Sequence, residues 1–167
     1  KGIIYPLLEA WQAVRERAFT LRRQLLLAAR PCQSMRLLMT IPGIGAITAV
    51  SYVAAIEDPK NFPKFRSVGA WLGLTTRRYQ SREMDFNGHI SRRGDQRLRG
   101  LLYEAATSLL TRTRAETVSD LKNWRFQLCE RLGFKRAAVA VARKLAVIMH
   151  SMLKSGQTFV PTREGLA

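Results

Sequence analysis

The stretch GLTTRRYQSREMDFNGHISRRGDQRLRG, residues 73–100, is the segment around which the rest of the chain is organised. Apolar, helix-periodic segments lie on both sides of it, whereas this segment is polar and rich in arginine. Its arginines are Arg77, Arg78, Arg82, Arg92, Arg93, Arg97 and Arg99, and its acidic residues are Glu83, Asp85 and Asp95. A connection this long inside a compact domain is usually either functional or disordered.

Apolar residues spread through the segment favour the ordered alternative, because they can hold it against a core. They are Leu74, Tyr79, Met84, Phe86 and Ile90. The Asn87-Gly88 dipeptide tolerates the positive φ of a tight turn and predicts a short β-hairpin that reverses there. An ordered, arginine-rich loop that carries serine hydroxyls is a candidate site for phosphodiester chemistry.

The composition indicates a folded protein with a polyanionic partner. Hydrophobic residues make up 47% of the 167, enough for a core. Lys and Arg number 28 against 12 Asp and Glu, which gives a net charge of +16. Such a charge repels itself in a compact state unless a polyanion neutralises it, so we expect DNA or RNA as the partner. A membrane surface is the alternative, but the arginines do not gather on one face of an amphipathic helix.

Localisation is also predicted from the sequence. No apolar run reaches membrane-spanning length, and we find no signal peptide. Cys32 and Cys129 have neither metal-ligand spacing nor a disulfide framework, which is typical of reduced thiols. We therefore expect a cytoplasmic, nucleoid-associated protein.

A long helix is predicted over residues 7–30, ended by Pro31. Its apolar residues fall at alternating four- and three-residue steps, the pattern of a coiled-coil seam. They are Leu7, Trp11, Val14, Ala18, Leu21, Leu25 and Ala28. Either this helix pairs between chains, or it is an amphipathic helix that packs on its own domain. We treat residues 1–31 as a coiled-coil-like link to an upstream domain that these residues do not include.

The sequence TIPGIG at residues 40–45 separates two predicted helices, 32–39 and 46–56. This arrangement is typical of a helix-hairpin-helix, whose glycines let a phosphate approach the backbone. N–H groups that open the second helix then face that phosphate with the positive end of the helix dipole behind them. We predict contacts to a nucleic-acid backbone at Gly43, Gly45 and Thr48. An ordinary helix–helix turn that binds nothing is the alternative.

Further helices are predicted from apolar spacing at 68–72, from about 95 onward, and at 118–132 and 135–153. The last is apolar on nearly every side over 137–142, so we expect it to be the central, most buried helix. Its basic residues, Lys135, Arg136, Arg143 and Lys144, would be exposed or would face phosphates. The predicted fold class is all-α: a helical domain over 32–167, preceded by the long helix, with a short β-hairpin allowed within 73–100.

Four sequence blocks in this order resemble a known family. They are IPGIG followed by ITA, then WLGLTTR, GHISRRGDQRLR and KRAAVAVARKLA. Over residues 37–161 the chain resembles the C-terminal domain of IS-one-ten type insertion-sequence transposases. These are DEDD-plus-serine recombinases guided by a bridge RNA, and the pilin-gene invertases are related to them. The resemblance implies a RuvC-like domain, outside these residues, whose carboxylates bind Mg²⁺.

The resemblance also implies a catalytic serine between the second and third blocks, and Ser81 fits that position. Ser91 lies in the third block and is expected to be a helix cap or a phosphate ligand. Many members have a Ser-Ser-Gly-Gly-like run where this chain has Gln80-Ser81-Arg82-Glu83, so the sequence of this loop departs from the family pattern and the family's loop conformation is not carried over with the serine.

The implied chemistry sets the predicted roles. A serine hydroxyl is a weak nucleophile at neutral pH and needs a base or a metal to activate it. Charge that develops on the phosphate needs positioned cations, and Arg77, Arg78 and Arg82 are the nearest in sequence. The further predicted phosphate ligands are Ser91, Arg92, Arg93 and Arg97. No metal site is predicted here, so we expect these residues alone to be chemically incomplete.

Two functions therefore remain at this stage. The first is the serine domain of a DNA recombinase, with DNA, a guide RNA and further copies of itself, as a dimer or tetramer, for partners and no membrane. The second is a non-catalytic DNA- or RNA-binding module in which Ser81 is merely polar.

Overall fold

A computed structural model describes residues 4–81, 84–111 and 120–160. The elements in these ranges are α1 (Ile4–Ala29), α2 (Gln33–Leu38), α3 (Ala46–Ile56), α4 (Phe65–Trp71), β1 (Thr76–Gln80), β2 (Asp85–Ile90), α5 (Gln96–Thr111), α6 (Asp120–Leu132) and α7 (Phe134–Ser155). A 3-10 turn, Pro59–Asn61, lies between α3 and α4. The predicted all-α class is confirmed, since the two strands form one small hairpin between helices.

Helix α7 is the centre of the core, as its apolar sequence predicts. It contacts α2, α4, α5 and α6. Its buried residues are Ala137, Ala138, Val141, Ala142, Leu145, Ala146, Ile148, Met149, His150 and Met152. Small residues on α7 allow close approach of its neighbours, and Leu98, Leu102 and Leu72 fill the space from α5 and the end of α4. Gly156, with φ +72°, ends the helix.

Helix α1 leaves most of its surface uncovered. The described helix runs from Ile4, three residues before the predicted start. Pro6 is tolerated there because it falls in the first turn, where a helix needs no N–H. Ala29 is its buried residue, and Leu25 is half-buried. Trp11 is 56% exposed and Val14 68% exposed, so the apolar seam does not pack on the described part of its own domain.

A buried hydrogen bond links α3 to α7. The Tyr52 hydroxyl donates to the Ala146 carbonyl oxygen over 2.6 Å, inside the core. Burial raises the pKa of this phenol, because the charged phenolate would have no water around it. The side chain is therefore held as a neutral donor, and it fixes the position of α3 against the central helix.

His150 is a second buried polar residue on α7. Its Nε2 lies 3.2 Å from the Phe62 carbonyl oxygen, and the Phe62 and Phe65 rings meet it edge-on. Its buried Nδ1 has no partner within the described residues. Burial lowers the pKa of His150; the Phe62 hydrogen bond raises it and the charge of Lys154 lowers it further.

This lowered pKa predicts a pH dependence of stability. The unfolded chain takes up the proton first as pH falls below about 6.5, whereas the folded chain resists it. Stability is therefore fully present above that pH and is lost as pH falls through the folded pKa. Thermal melts between about pH 7 and pH 5 should show a falling Tm. His150→Gln should flatten part of this fall, whereas exposed His89→Gln should not; equal curves for the two variants would contradict the assignment.

Candidate functional site

Two glycines fasten the arginine-rich segment to the end of α4. Gly73 has φ +70° and Gly94 has φ +89°. A Cβ on Gly73 would overlap the backbone of Arg93, and a Cβ on Gly94 would overlap the carbonyl oxygen of Trp71. The two backbone segments therefore cross in direct contact, which side chains at these positions would prevent. We call this contact the glycine crossing; it joins the base of the hairpin to the helical core.

Hydrogen bonds reinforce the glycine crossing. The Arg92 N–H donates to the Gly73 carbonyl oxygen over 3.1 Å, and Arg92 itself has the unusual φ of +53°. The Arg99 guanidinium donates from α5 to the Leu72 and Arg93 carbonyl oxygens over 3.1 and 3.3 Å. Arg99 thereby satisfies a carbonyl at the end of α4, so its place in the first turn of α5 has a structural reason.

The cap of α5 is Asp95. Its carboxylate accepts from the N–H groups of Arg97 and Leu98 over 2.8 and 3.0 Å. A carboxylate at this position satisfies free N–H groups and complements the helix dipole. Ser91, for which a cap was one predicted role, is not the cap of this helix.

The hairpin is present, but its turn is not at Asn87-Gly88 as predicted. Gln80 pairs with Asp85, and the Ser81 N–H donates to the Met84 carbonyl oxygen over 2.8 Å, so the chain reverses at 81–84. Residues 82 and 83, which include the predicted ligand Arg82, lie outside the described residues. Asn87 and Gly88 are in β2, next to an irregularity where β2 takes one more residue than β1.

Gly88 has a packing role in place of the predicted turn. A Cβ there would meet the Tyr79 ring at 2.9 Å, so the ring needs the glycine beneath it. Tyr79 also stacks on Phe86, its cross-strand partner, with centroids 4.9 Å apart and an interplanar angle of 17°. Both rings are about half exposed. The hairpin therefore presents a stacked aromatic pair at its surface.

The two described arginines of β1 are both engaged. The Arg78 guanidinium donates to the Asp85 carboxylate, with Nε 2.9 Å from Oδ1. This ion pair is largely exposed, with 59% of the Arg78 side chain and 48% of the Asp85 side chain accessible to solvent. The Arg78 hydrogen bond lowers the pKa of Asp85. The Arg77 guanidinium donates to the Ser91 carbonyl oxygen over 3.1 Å, and no carboxylate among the described residues forms an ion pair with it.

Ser81 follows β1 at the tip of the hairpin, and its side chain is exposed. Ser91 is at the base, where its N–H donates to the Thr75 carbonyl oxygen over 2.8 Å. Arg92, Arg93 and Arg97 follow Ser91 and are all exposed. The hairpin thus separates the two predicted serines: one is at the free end, and the other adjoins a cluster of cations at the fixed end.

The turn between α2 and α3 holds the remaining predicted ligands. Gly43 has φ +83°, and a Cβ there would meet the Leu109 side chain at 3.0 Å, so this glycine also serves packing against α5. Gly45 precedes α3 with open space around its Cβ position. The Thr48 side chain is buried, so its route to a phosphate would be its backbone N–H. The described turn is compatible with approach of an anion at Gly45.

Neither a metal cluster nor a membrane helix is found in the described residues. No group of three or more His, Cys, Asp or Glu there lies close enough to hold a metal ion. None of the described helices is long and apolar enough to cross a membrane. Asp85 and Asp95, the described acidic residues of the segment, already bind Arg78 and the start of α5.

Comparison with known proteins identifies similar sequences. The model of the transposase IS116/IS110/IS902 family matches residues 35–122. The transposase for insertion sequence element IS1111A of Coxiella burnetii is 36% identical over 133 residues, 79% of this chain and 35% of that protein. The transposase for insertion sequence element IS1328 of Yersinia enterocolitica is 35% identical over 122 residues, 73% of this chain and 36% of that protein. The chain spans between 35% and 47% of the length of the curated relatives it matches.

Proposed function

The chain belongs to the transposase IS116/IS110/IS902 family, and from that premise we propose that it is a DNA-binding domain that supplies the nucleophilic serine of a transposase. The proposed nucleophile is Ser81. The observation that carries this proposal is the position of Ser81 at the exposed tip of a hairpin whose base is fixed to the core. A hydroxyl there can reach a phosphodiester outside the domain while its position remains defined.

The reaction proposed for Ser81 is a transesterification. Its Oγ attacks phosphorus, a new serine–phosphate ester forms, and the bond from phosphorus to one DNA oxygen breaks. The serine proton passes through a base to the departing oxygen, which leaves as a hydroxyl. A hydroxyl of a second strand then attacks the serine ester, restores a phosphodiester and releases Ser81. Each step exchanges one phosphate ester for another, so the reaction needs no external energy source.

The cations that stabilise the phosphate can be narrowed from the geometry. Arg78 is paired with Asp85 and is a poorer candidate, whereas Arg77 has no carboxylate partner among the described residues. No group of carboxylates among the described residues lies close enough together to hold Mg²⁺, and Asp85 and Asp95 are already bound within the fold. We therefore propose that residues outside the described ranges activate Ser81.

Binding to nucleic acid is the part of the proposal that the chain can test by itself. With a net charge of +16, it should bind DNA with little sequence preference. If about six phosphates are neutralised, log K against log salt should have a slope of roughly −5 on duplex DNA. Fluorescence anisotropy over a salt series measures this slope. Binding that does not respond to salt would contradict the electrostatic basis of the proposal.

We also propose that α1 pairs with α1 of a second copy. Its exposed apolar residues follow the alternating four- and three-residue steps of a coiled-coil seam, and apolar patches of this extent mark interaction surfaces. This would bring two serine domains together, as strand exchange between two DNA sites needs. A guide RNA is a further proposed partner, which the resemblance alone supports.

A double substitution in the seam tests the pairing. Val14→Glu with Leu21→Glu should convert a dimer into folded monomers, because two charges would enter a desolvated apolar interface. Sedimentation velocity measures the change, and circular dichroism checks the fold. Gln12→Glu with Thr20→Glu adds the same charge to exposed positions off the seam and should leave the dimer intact. A wild-type chain that is monomeric at high concentration would refute the pairing.

A further inference from the structure

A wide groove runs between the hairpin and α7. Phe86, Gly88 and Ile90 of β2 form one wall, and Arg136, Val139 and Arg143 of α7 are in the other. The groove is open and encloses about 1790 Å³. Clefts that hold small molecules usually measure about 300–1,000 Å³. This groove is therefore better suited to a segment of a polymer.

The charged residues of the groove all have one sign. Within the described part of the chain its lining includes Lys64, Arg66, Arg92, Lys135, Arg136, Arg143 and Lys144, and no Asp or Glu. Burial lowers the pKa of Lys144, and the charge of Arg66 lowers it further. Repulsion between these like charges raises the free energy of the empty groove, and a bound polyanion would reduce that repulsion.

The cations of α7 are arranged for a repeating anion. Lys135 and Arg136 precede Arg143 and Lys144 by eight residues, which is about 12 Å along a helix. The two pairs are therefore far enough apart to contact different phosphates of one strand. Arg143 is also held in place, because its side chain lies on Gly69 of α4, where a Cβ would meet its Cγ at 3.0 Å.

Aromatic and apolar groups distinguish this groove from a plain phosphate-binding surface. Phe86 is 55% exposed, lies in the groove wall and is braced by its stack on Tyr79. Trp124 of α6 is also part of the lining. Unpaired bases present faces that stack on such rings, whereas a duplex hides them inside its own stack. Cations beside the exposed Phe86 ring and the half-buried Trp124 ring thus favour a single strand over a duplex.

From these observations we propose that the groove between the hairpin and α7 binds an unpaired strand of nucleic acid, with its phosphates on the α7 cations and a base stacked on Phe86. The inference rests on the proposed function in one respect, that nucleic acid is the partner, and it is independent of the serine chemistry. The same chemistry would suit unpaired DNA, as released during strand exchange, or unpaired RNA.

The test compares single-stranded DNA, single-stranded RNA and duplex DNA of equal length by fluorescence anisotropy with the 167-residue chain. Arg136→Gln with Lys144→Gln should weaken binding of single strands on the order of tenfold. It should also make the single-strand salt slope shallower by about 1.4, for two lost phosphate contacts. Arg22→Gln with Arg23→Gln removes the same charge from exposed positions of α1 and should have a much smaller effect.

Phe86 provides the second arm. Phe86→Ala should weaken binding of single strands on the order of tenfold and leave duplex binding unchanged, whereas Phe86→Tyr keeps the aromatic face and should restore affinity. Comparing the loss of affinity for single-stranded DNA with that for single-stranded RNA in the groove variants identifies which nucleic acid supplies the strand. If the groove variant and the α1 variant lose the same affinity for single strands, the groove is not the binding site. A duplex bound as tightly as single strands, with no effect of Phe86→Ala, would overturn the unpaired strand. Failure of the wild-type chain to bind any of the three would overturn the proposed function as well.

Discussion

Replacing Ser81 by alanine in the complete transposase that carries this chain is expected to abolish strand exchange. In the proposed reaction the hydroxyl is the part of Ser81 that forms the ester, and alanine has no group to replace it. Affinity for nucleic acid should change little, since the net charge of +16 dominates that binding. A recombination assay and an anisotropy titration on the same preparation separate the two effects.

Ser91→Ala is the matched control for this substitution. The hydrogen bonds of Ser91 in the structure are made by its backbone N–H and carbonyl oxygen, and alanine keeps both. Loss of a hydroxyl contact there should cost about 1 kcal/mol, a modest change in rate. Ser81→Cys should retain a slow covalent step, because a thiolate is also a nucleophile. Wild-type recombination by Ser81→Ala would mean that the domain only binds.

The second large effect is expected at the glycine crossing. Gly94→Ala should destabilise the fold by about 2–5 kcal/mol, since left-handed backbone costs about 1–2 kcal/mol and a forced overlap about 1–3 kcal/mol more. Gly73→Ala should have a similar effect for the same reasons. This is a large fraction of the stability of a typical domain, about 5–15 kcal/mol. Urea unfolding followed by circular dichroism measures the loss.

Substitutions at two other glycines separate the contribution of left-handed backbone from that of steric overlap. Gly156 has φ +72° but open space around its Cβ position, so Gly156→Ala should cost the backbone strain alone, about 1–2 kcal/mol. Gly45 has neither a positive φ nor a close neighbour, so Gly45→Ala should cost less than about 1 kcal/mol. Equal losses at Gly94 and Gly156 would show that the backbone overlap does not contribute.

The sequence predicts the helices well because each depends on local periodicity. The apolar run over residues 137–142 identifies α7 as the buried helix, and Pro31 marks the end of α1 within two residues. TIPGIG likewise separates α2 from α3 as predicted. These features need no knowledge of which distant residues meet, so pattern alone was sufficient for them.

The hairpin shows where pattern is insufficient. Asn87-Gly88 is a strong turn signal, yet glycine is equally suited to a position beneath an aromatic ring, and Tyr79 uses it that way. The position of the turn sets which residues pair across the two strands. Because the predicted turn position is wrong, the sequence does not predict the Arg78–Asp85 ion pair. Tyr79 and Phe86 are aromatic residues on either side of a short polar loop. Such a pair can face each other across two strands, and this was the signal that could have located the reversal.

Long-range contacts account for the other features that sequence reasoning missed. Gly73 and Gly94 are 21 residues apart, and nothing local pairs them. The groove collects cations from α4, the segment after β2 and α7. The sequence predicts that the four on α7 are exposed or face phosphates, without showing that they lie across a groove from Phe86. The site lies between the hairpin and α7, which are distant in sequence, so it appears only in three dimensions.

Trapping the covalent intermediate tests the serine mechanism most directly. The complete transposase is incubated with nicked or mismatched target DNA, the adduct is digested, and the modified peptide is mapped by mass spectrometry. We expect a phosphodeoxynucleotide on Ser81, and none with Ser81→Ala. An adduct on Ser91 or Tyr79, or recombination with no protein–DNA adduct at any stage, would contradict the assignment of Ser81 as the nucleophile.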